Sequence, residues 1–96
     1  VFNNGIYGTI RMHQERDHPG RVSGTTLKNQ DFCKMAEGLG AHAERVTKTA
    51  DFAAAFQRAR TAGRPAVIEL VTDPEQISTR TTISKLRYTA RQKENA

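Results

Sequence analysis

The sequence predicts an α/β protein: a partial three-layer arrangement in which helices flank a parallel sheet. Three observations predict it. A short apolar run at the start stops in paired asparagines, Asn3-Asn4, and leads through a glycine-bearing turn into a helical stretch. Two later segments carry apolar residues at i, i+3, i+4 and i+7, one face of a helix. Ala66–Val71, Ala-Val-Ile-Glu-Leu-Val, reads as a strand closed by Asp73-Pro74. Strands alternating with amphipathic helices argue for a parallel sheet with helices packed against it.

Each element has a local reason. After the first strand, residues 8–15 read as a helix. Residues 17–30 lack periodicity, hold Pro19, Gly20 and Gly24, and read as a long loop, a kind that is commonly functional or mobile. Asp31 is placed to cap the next helix, because its carboxylate can accept the free N–H groups of a first turn. Phe32, Met35, Ala36 and Leu39 give that helix its apolar face, and Gly40 is a left-handed stop. Residues 41–46 are short enough for a strand. Thr49 is read as the cap of a further helix with Phe52, Ala55, Phe56 and Ala59 on one face, ended by Gly63-Arg64-Pro65. Burying each phenylalanine should contribute roughly 1.5–3 kcal/mol. No internal repeat or low-complexity segment occurs.

A length of 96 residues suits one small domain. The chain begins with Val, in what reads as a strand already under way, and the expectation is a fragment or processed product. Its composition is that of an ordinary soluble protein, with no apolar run of bilayer-spanning length and no signal-peptide pattern. A lone Cys33 excludes an internal disulfide framework and fits a reducing, cytoplasmic setting. Beside Phe32 in a helix, it reads as a plain, partly buried thiol. The formal charge of +5 invites a nucleic-acid reading. Much of the excess, however, sits in the tail, as Arg80, Lys85, Arg87, Arg91 and Lys93 against Glu94. Only Tyr88 accompanies it, so a platform for stacking bases is missing, and a solvated basic tail is expected.

The chemistry concentrates at the start. A strand ending in two carboxamides sets neutral oxygens at the carboxyl edge of a sheet, where open α/β sheets bind ligands. Such oxygens suit a hard cation such as Mg²⁺, which takes a few protein oxygens plus water and substrate phosphate. Asn-Asn-Gly alone is also a common hairpin turn. The longer run Asn3-Asn4-Gly5-Ile6-Tyr7-Gly8-Thr9-Ile10-Arg11 resembles the closing half of the thiamine diphosphate (ThDP) motif, as found in benzoylformate decarboxylase and acetolactate synthase-like enzymes. The order of elements over residues 1–87 is similar to the C-terminal portion of a ThDP-binding domain.

The resemblance implies roles residue by residue. The Asn4 side chain and the Ile6 backbone carbonyl would ligate the divalent ion, and Gly5 would let the chain turn between them. Cofactor contacts are implied for Asn4, Gly5, Ile6, Tyr7 and Gly8, with Tyr7, Thr9 and Ile10 under the diphosphate and beside the thiazolium. A helix starting near Gly8 would point free N–H groups at phosphate. Residue 13 is an aromatic, usually Trp, in the acetolactate synthases; here it is His13, a departure that changes the size and polarity of the acceptor pocket. The open alternatives are a turn-capping Asn4, a packing Tyr7 and a solvent-facing His13. His13, Glu15, Asp17 and His18 do not have the spacing of a zinc motif.

The implied function is that of a ThDP- and Mg²⁺-dependent enzyme acting on a 2-oxo acid, by decarboxylation or carboligation. A Gly-Asp-Gly carrying the anionic metal ligand would lie upstream. The glutamate that activates the cofactor would come from another domain, usually on a partner subunit of a homodimer or homotetramer. The chain alone is therefore expected to be inactive, to bind ThDP weakly if at all, and to associate or stay partly unfolded. Its first strand would be central in the intact sheet. Residues 77–87, with Thr79, Thr81, Thr82 and Ile83, lie where family members fold over the cofactor site or a neighbouring subunit. The domain is expected over residues 1–88 and disorder over residues 89–96. Two other classes stay open: a non-catalytic ThDP-domain remnant serving subunit contact, and a small basic nucleic-acid-binding module whose affinity would fall with salt and depend on Arg87 and Arg91.

Overall fold

The computed structural model describes all residues 1–96. In chain order the elements are β1 (Phe2–Asn3), α1 (Gly8–Asp17), α2 (Phe32–Gly38), β2 (His42–Val46), α3 (Phe52–Thr61), β3 (Ala66–Val71) and α4 (Ile83–Glu94). All three strands are parallel, in the order β1-β3-β2. The register sets Phe2 opposite Leu70, and runs from His42 opposite Ala66 to Val46 opposite Leu70. The α/β class with a parallel sheet and flanking helices is the one the alternating pattern implies.

The chain does not form one unit. It divides into two, Val1–Asn3 with Asn29–Thr72, and Asn4–Lys28 with Asp73–Ala96. Each has its own buried residues. The first holds the sheet with α2 and α3, and buries Ala36, Val46, Ala55 and the carboxylate residue Glu69. The second holds α1 and α4, and buries Glu15, Thr25, Ile83 and Ala90.

Within the first unit, Asp31 caps α2 as expected, its Oδ1 accepting from the Lys34 N–H at 3.0 Å. Gly40 takes φ +87° just past the helix, a conformation that favours glycine. Glu69 on the central strand is shielded by polar partners, Arg45 Nε at 3.2 Å and Asn3 Nδ2 at 3.1 Å. Arg45 also reaches the capping Asp31 at 2.8 Å, so one guanidinium joins the start of α2 to the sheet. Thr49 is not the cap the sequence suggested. It opens a 3₁₀ turn, Thr49–Asp51, in which the Asp51 N–H bonds to the Lys48 carbonyl at 3.0 Å and no side chain caps. The turn's own backbone supplies the acceptor that a threonine hydroxyl was expected to provide. Phe52 and Phe56 stack at 5.9 Å yet remain 41% and 47% exposed, so within this chain the expected burial energy is only partly realised.

In the second unit the expected disorder from residue 89 is replaced by helix through Glu94. The Thr82 hydroxyl caps α4 by accepting from the Lys85 N–H at 3.2 Å. Ile83 and Ala90 bury one face of it. Its start is anchored by Glu75, whose carbonyl accepts from Ile83 N at 2.9 Å and whose carboxylate accepts from Ser84 N at 2.9 Å.

Candidate cofactor-binding site

The cofactor and pocket residues implied by the resemblance, from Asn4 to His13, run through one turn into α1, all in the second unit. Asn4 is half-buried, and its Oδ1 accepts from the Ile6 N–H at 3.1 Å. Between them Gly5 takes φ +71°, where an L side chain is strained, so the tight turn depends on glycine here. Ile6 faces Thr26 in an isolated antiparallel bridge, flanked by Tyr7 N to Thr25 O at 2.9 Å and Leu27 N to Gly5 O at 2.8 Å. That pairing occupies the Gly5 carbonyl and the Tyr7 N–H and leaves the Ile6 carbonyl without a hydrogen bond from the chain.

At the head of α1, Tyr7 accepts from Arg11 N at 2.8 Å but supplies no side-chain cap, and the first turn holds no acid. The first N–H groups of the helix are thus free for an anion. Gly8 leaves room: a Cβ there would come within 3.0 Å of Asn4 Nδ2. Tyr7 and Ile10 are half exposed, and Thr9 is exposed. His13 is exposed, and its Nδ1 lies 2.8 Å from Arg16 Nη2. A guanidinium can only donate, so the ring accepts at Nδ1 and carries its hydrogen on Nε2. Arg16 also holds the Asp17 carboxyl below its usual range by hydrogen bonding.

The two asparagines part company. Asn3 belongs to the sheet unit, where its amide donates to Glu69 and its Oδ1 accepts from Asn29 Nδ2 at 2.8 Å. Asn4 belongs to the turn. Several residues around the turn carried no role in the sequence reading. Arg11 Nε donates to Thr25 Oγ1 at 2.7 Å and its Nη2 to Thr26 Oγ1 at 2.9 Å. Thr25, almost wholly buried, passes its hydroxyl hydrogen to Gln14 Oε1 at 3.0 Å, while Gln14 Nε2 donates to Ser23 O at 2.7 Å. This ladder fastens the loop to the side of α1. Glu15, 1% exposed, accepts from Arg87 Nε on α4 and from Gly20 N at 3.4 Å. Only the spacing of Ile83, Leu86, Arg87 and Ala90 after Thr82 hinted that the tail is a helix able to reach such a partner. Cys33 is half-buried, and burial pushes its thiol pKa up, as befits an unreactive thiol.

The parallel sheet with helices beside it makes the chain an α/β protein, and in the second unit an uncapped helix start follows a glycine turn. Residues 1–70 match the family described as the thiamine pyrophosphate enzyme, C-terminal TPP binding domain. The chain belongs to that family of ThDP-dependent enzymes. It is 42% identical over 77 residues to the acetolactate synthase large subunit of Corynebacterium glutamicum, covering 74% of this chain and 12% of that protein. It is 32% identical over 74 residues to an acetolactate synthase large subunit of Mycobacterium tuberculosis, covering 77% of this chain and 14% of the relative. The chain therefore spans about an eighth of the length of these relatives.

Proposed function

We propose that this chain supplies the closing half of a Mg²⁺–ThDP site in an enzyme that decarboxylates 2-oxo acids or joins them to a second carbonyl. The observation that carries the reading is the turn from Asn4 to Gly8. Its Ile6 carbonyl is unclaimed, its Asn4 oxygen accepts a single internal hydrogen bond, and an uncapped helix follows at once.

The donor set fits a hard divalent ion. Asn4 Oδ1 has a second lone pair beyond the bond from Ile6 N, and the Ile6 carbonyl is the second oxygen. Both are neutral, and the chain holds no cluster of three or more His, Cys, Asp or Glu that could bind a metal. The negative charge would come from the diphosphate and, as the family resemblance implies, from the aspartate of the Gly-Asp-Gly half of the motif. ThDP, when bound, supplies the nucleophile and electron sink of the reaction. The chain's own work is binding and orientation. The N–H groups at the head of α1 would receive phosphate oxygens, the exposed faces of Tyr7 and Ile10 would exclude water, and His13 would offer a polar ring where the family resemblance implies an aromatic one.

In this reading the chain is inactive alone and acts with other domains of the same protein, in a cytoplasmic homodimer or homotetramer. No helix is long and apolar enough to cross a membrane. The test is native mass spectrometry of the protein isolated from its source with Mg²⁺, followed by 2-oxo acid turnover. Bound ThDP, lost in Asn4→Ala together with turnover, is expected. A protein that carries and takes up no ThDP would sink the proposal.

A further inference from the structure

We infer that Glu15 and Arg87 are positioning residues for the cofactor site: α4 clamps the carboxyl end of α1 and so fixes the helix start at Gly8. This deepens the proposed Mg²⁺–ThDP reading and rests on it.

The sequence marks the basic tail as solvated surface. The structure instead turns two of its arginines, one helical turn apart on α4, toward one place. Arg87 donates its Nε–H to the carboxylate of Glu15, which lies two turns into α1 and is 1% exposed. Arg91 Nη2 lies 2.9 Å from where a Cβ on Gly20 would stand, just beyond the end of α1. Gly20, at φ +77°, makes that approach possible twice over, through its missing side chain and its backbone. A carboxylate so deeply buried needs its charge compensated, and apart from Arg87 it receives only the long bond from Gly20 N. Cations at the carboxyl end of a helix also oppose the negative end of its dipole.

The amino end of α1 is built the opposite way. It has no side-chain cap and no acid, so its positive end is left for an anion. The helix is only ten residues long and tied to the neighbouring loop by Arg11 and Gln14. Movement at Glu15 is therefore movement at Gly8, and through Gly8 at the Asn4 amide against it. The C-terminal helix has a reason to be there that the two asparagines do not reveal.

The experiment uses the protein as isolated from its source, with Arg87→Ala, Arg87→Lys and an Ala90→Gly control that weakens α4 without touching the pair. Two readouts are taken below the melting temperature of every variant: amide exchange across residues 8–17, and ThDP affinity at fixed Mg²⁺. Arg87→Ala should speed exchange at the start of α1 and weaken ThDP at least tenfold. Arg87→Lys should recover most of both, and Ala90→Gly should leave affinity within about twofold. Unchanged exchange in Arg87→Ala overturns the clamp; faster exchange with unchanged affinity overturns its role in positioning. An Ala90→Gly loss as large as that of Arg87→Ala also overturns it, since general loosening would then suffice. If the unaltered protein takes up no ThDP, the cofactor reading fails on its own and takes the positioning role with it, while the exchange data still decide the clamp.

Discussion

At the scale of single residues, Gly8 separates binding from folding. Gly8 opens α1, where alanine's advantage over glycine is smaller than the about 1 kcal/mol of an interior position, and the atom an added Cβ would meet is Nδ2 at the end of the Asn4 side chain. Gly8→Ala is expected to keep or raise the melting temperature while weakening the proposed Mg²⁺–ThDP binding, because it displaces the Asn4 amide, whose oxygen is the proposed metal ligand. Thermal melts and a ThDP titration on the same variant check both halves. Gly5→Ala should act differently. Nothing lies within 4 Å of its added Cβ, so its cost is the left-handed backbone alone, about 1–2 kcal/mol. The acids of the sheet unit predict a pH response. Arg58 and His42 hydrogen bonds hold the Glu44 carboxyl below its usual range, and the Lys34 N–H with Arg45 does the same for Asp31. A lowered carboxylate pKa gives stability that is complete above the unfolded value, about 4, and is lost as pH falls through the folded one. The melting temperature should hold between about pH 7 and 5 and drop below about 4, and Asp31→Asn should shrink that drop in a pH series of melts.

At the scale of elements, α4 is the segment whose weight is easiest to underestimate. Removing one partner of a fully buried ion pair costs about 3–5 kcal/mol; Arg87 is 32% exposed, so its loss strands the buried Glu15 at a cost below that range. Arg87→Ala should still destabilise the unit containing α1 and α4 more than Thr82→Ala, which loses a helix cap worth about 1 kcal/mol. Urea unfolding of the two variants orders them. Elements with a local signal were legible in the sequence. The Asp31 cap, the left-handed Gly40 and the whole of β3 stand where the residues put them. Thr49 and α4 were not, for opposite reasons. A 3₁₀ turn satisfied its own backbone where a side chain was expected, and α4 draws its support from a carboxylate 72 residues away.

At the scale of the whole molecule, apolar surface is left open on the sheet unit. Phe2 and Leu39 are 81% and 83% exposed. Leu39, with Val1, Phe32, Met35, Pro65 and Val67, lines a groove of about 370 Å³. β1 lies at the edge of the sheet, with only one strand beside it. Open strand edges and apolar grooves promote association. The chain should self-associate at micromolar concentration in sedimentation velocity, and Leu39→Lys should shift it toward monomer without lowering its melting temperature.

What the sequence determined by itself is what depends on neighbours along the chain. Strand and helix periods, the cap at Asp31, the glycine turn after Asn4 and the family to which residues 1–70 belong were all readable there. Only the tertiary structure decided which asparagine joins the sheet and which the turn. It alone made a basic tail the counter-charge of Glu15. The reason is physical. A local pattern states what a side chain can do, but a buried charge finds its partner by distance in space, and that distance is set only when the chain has folded.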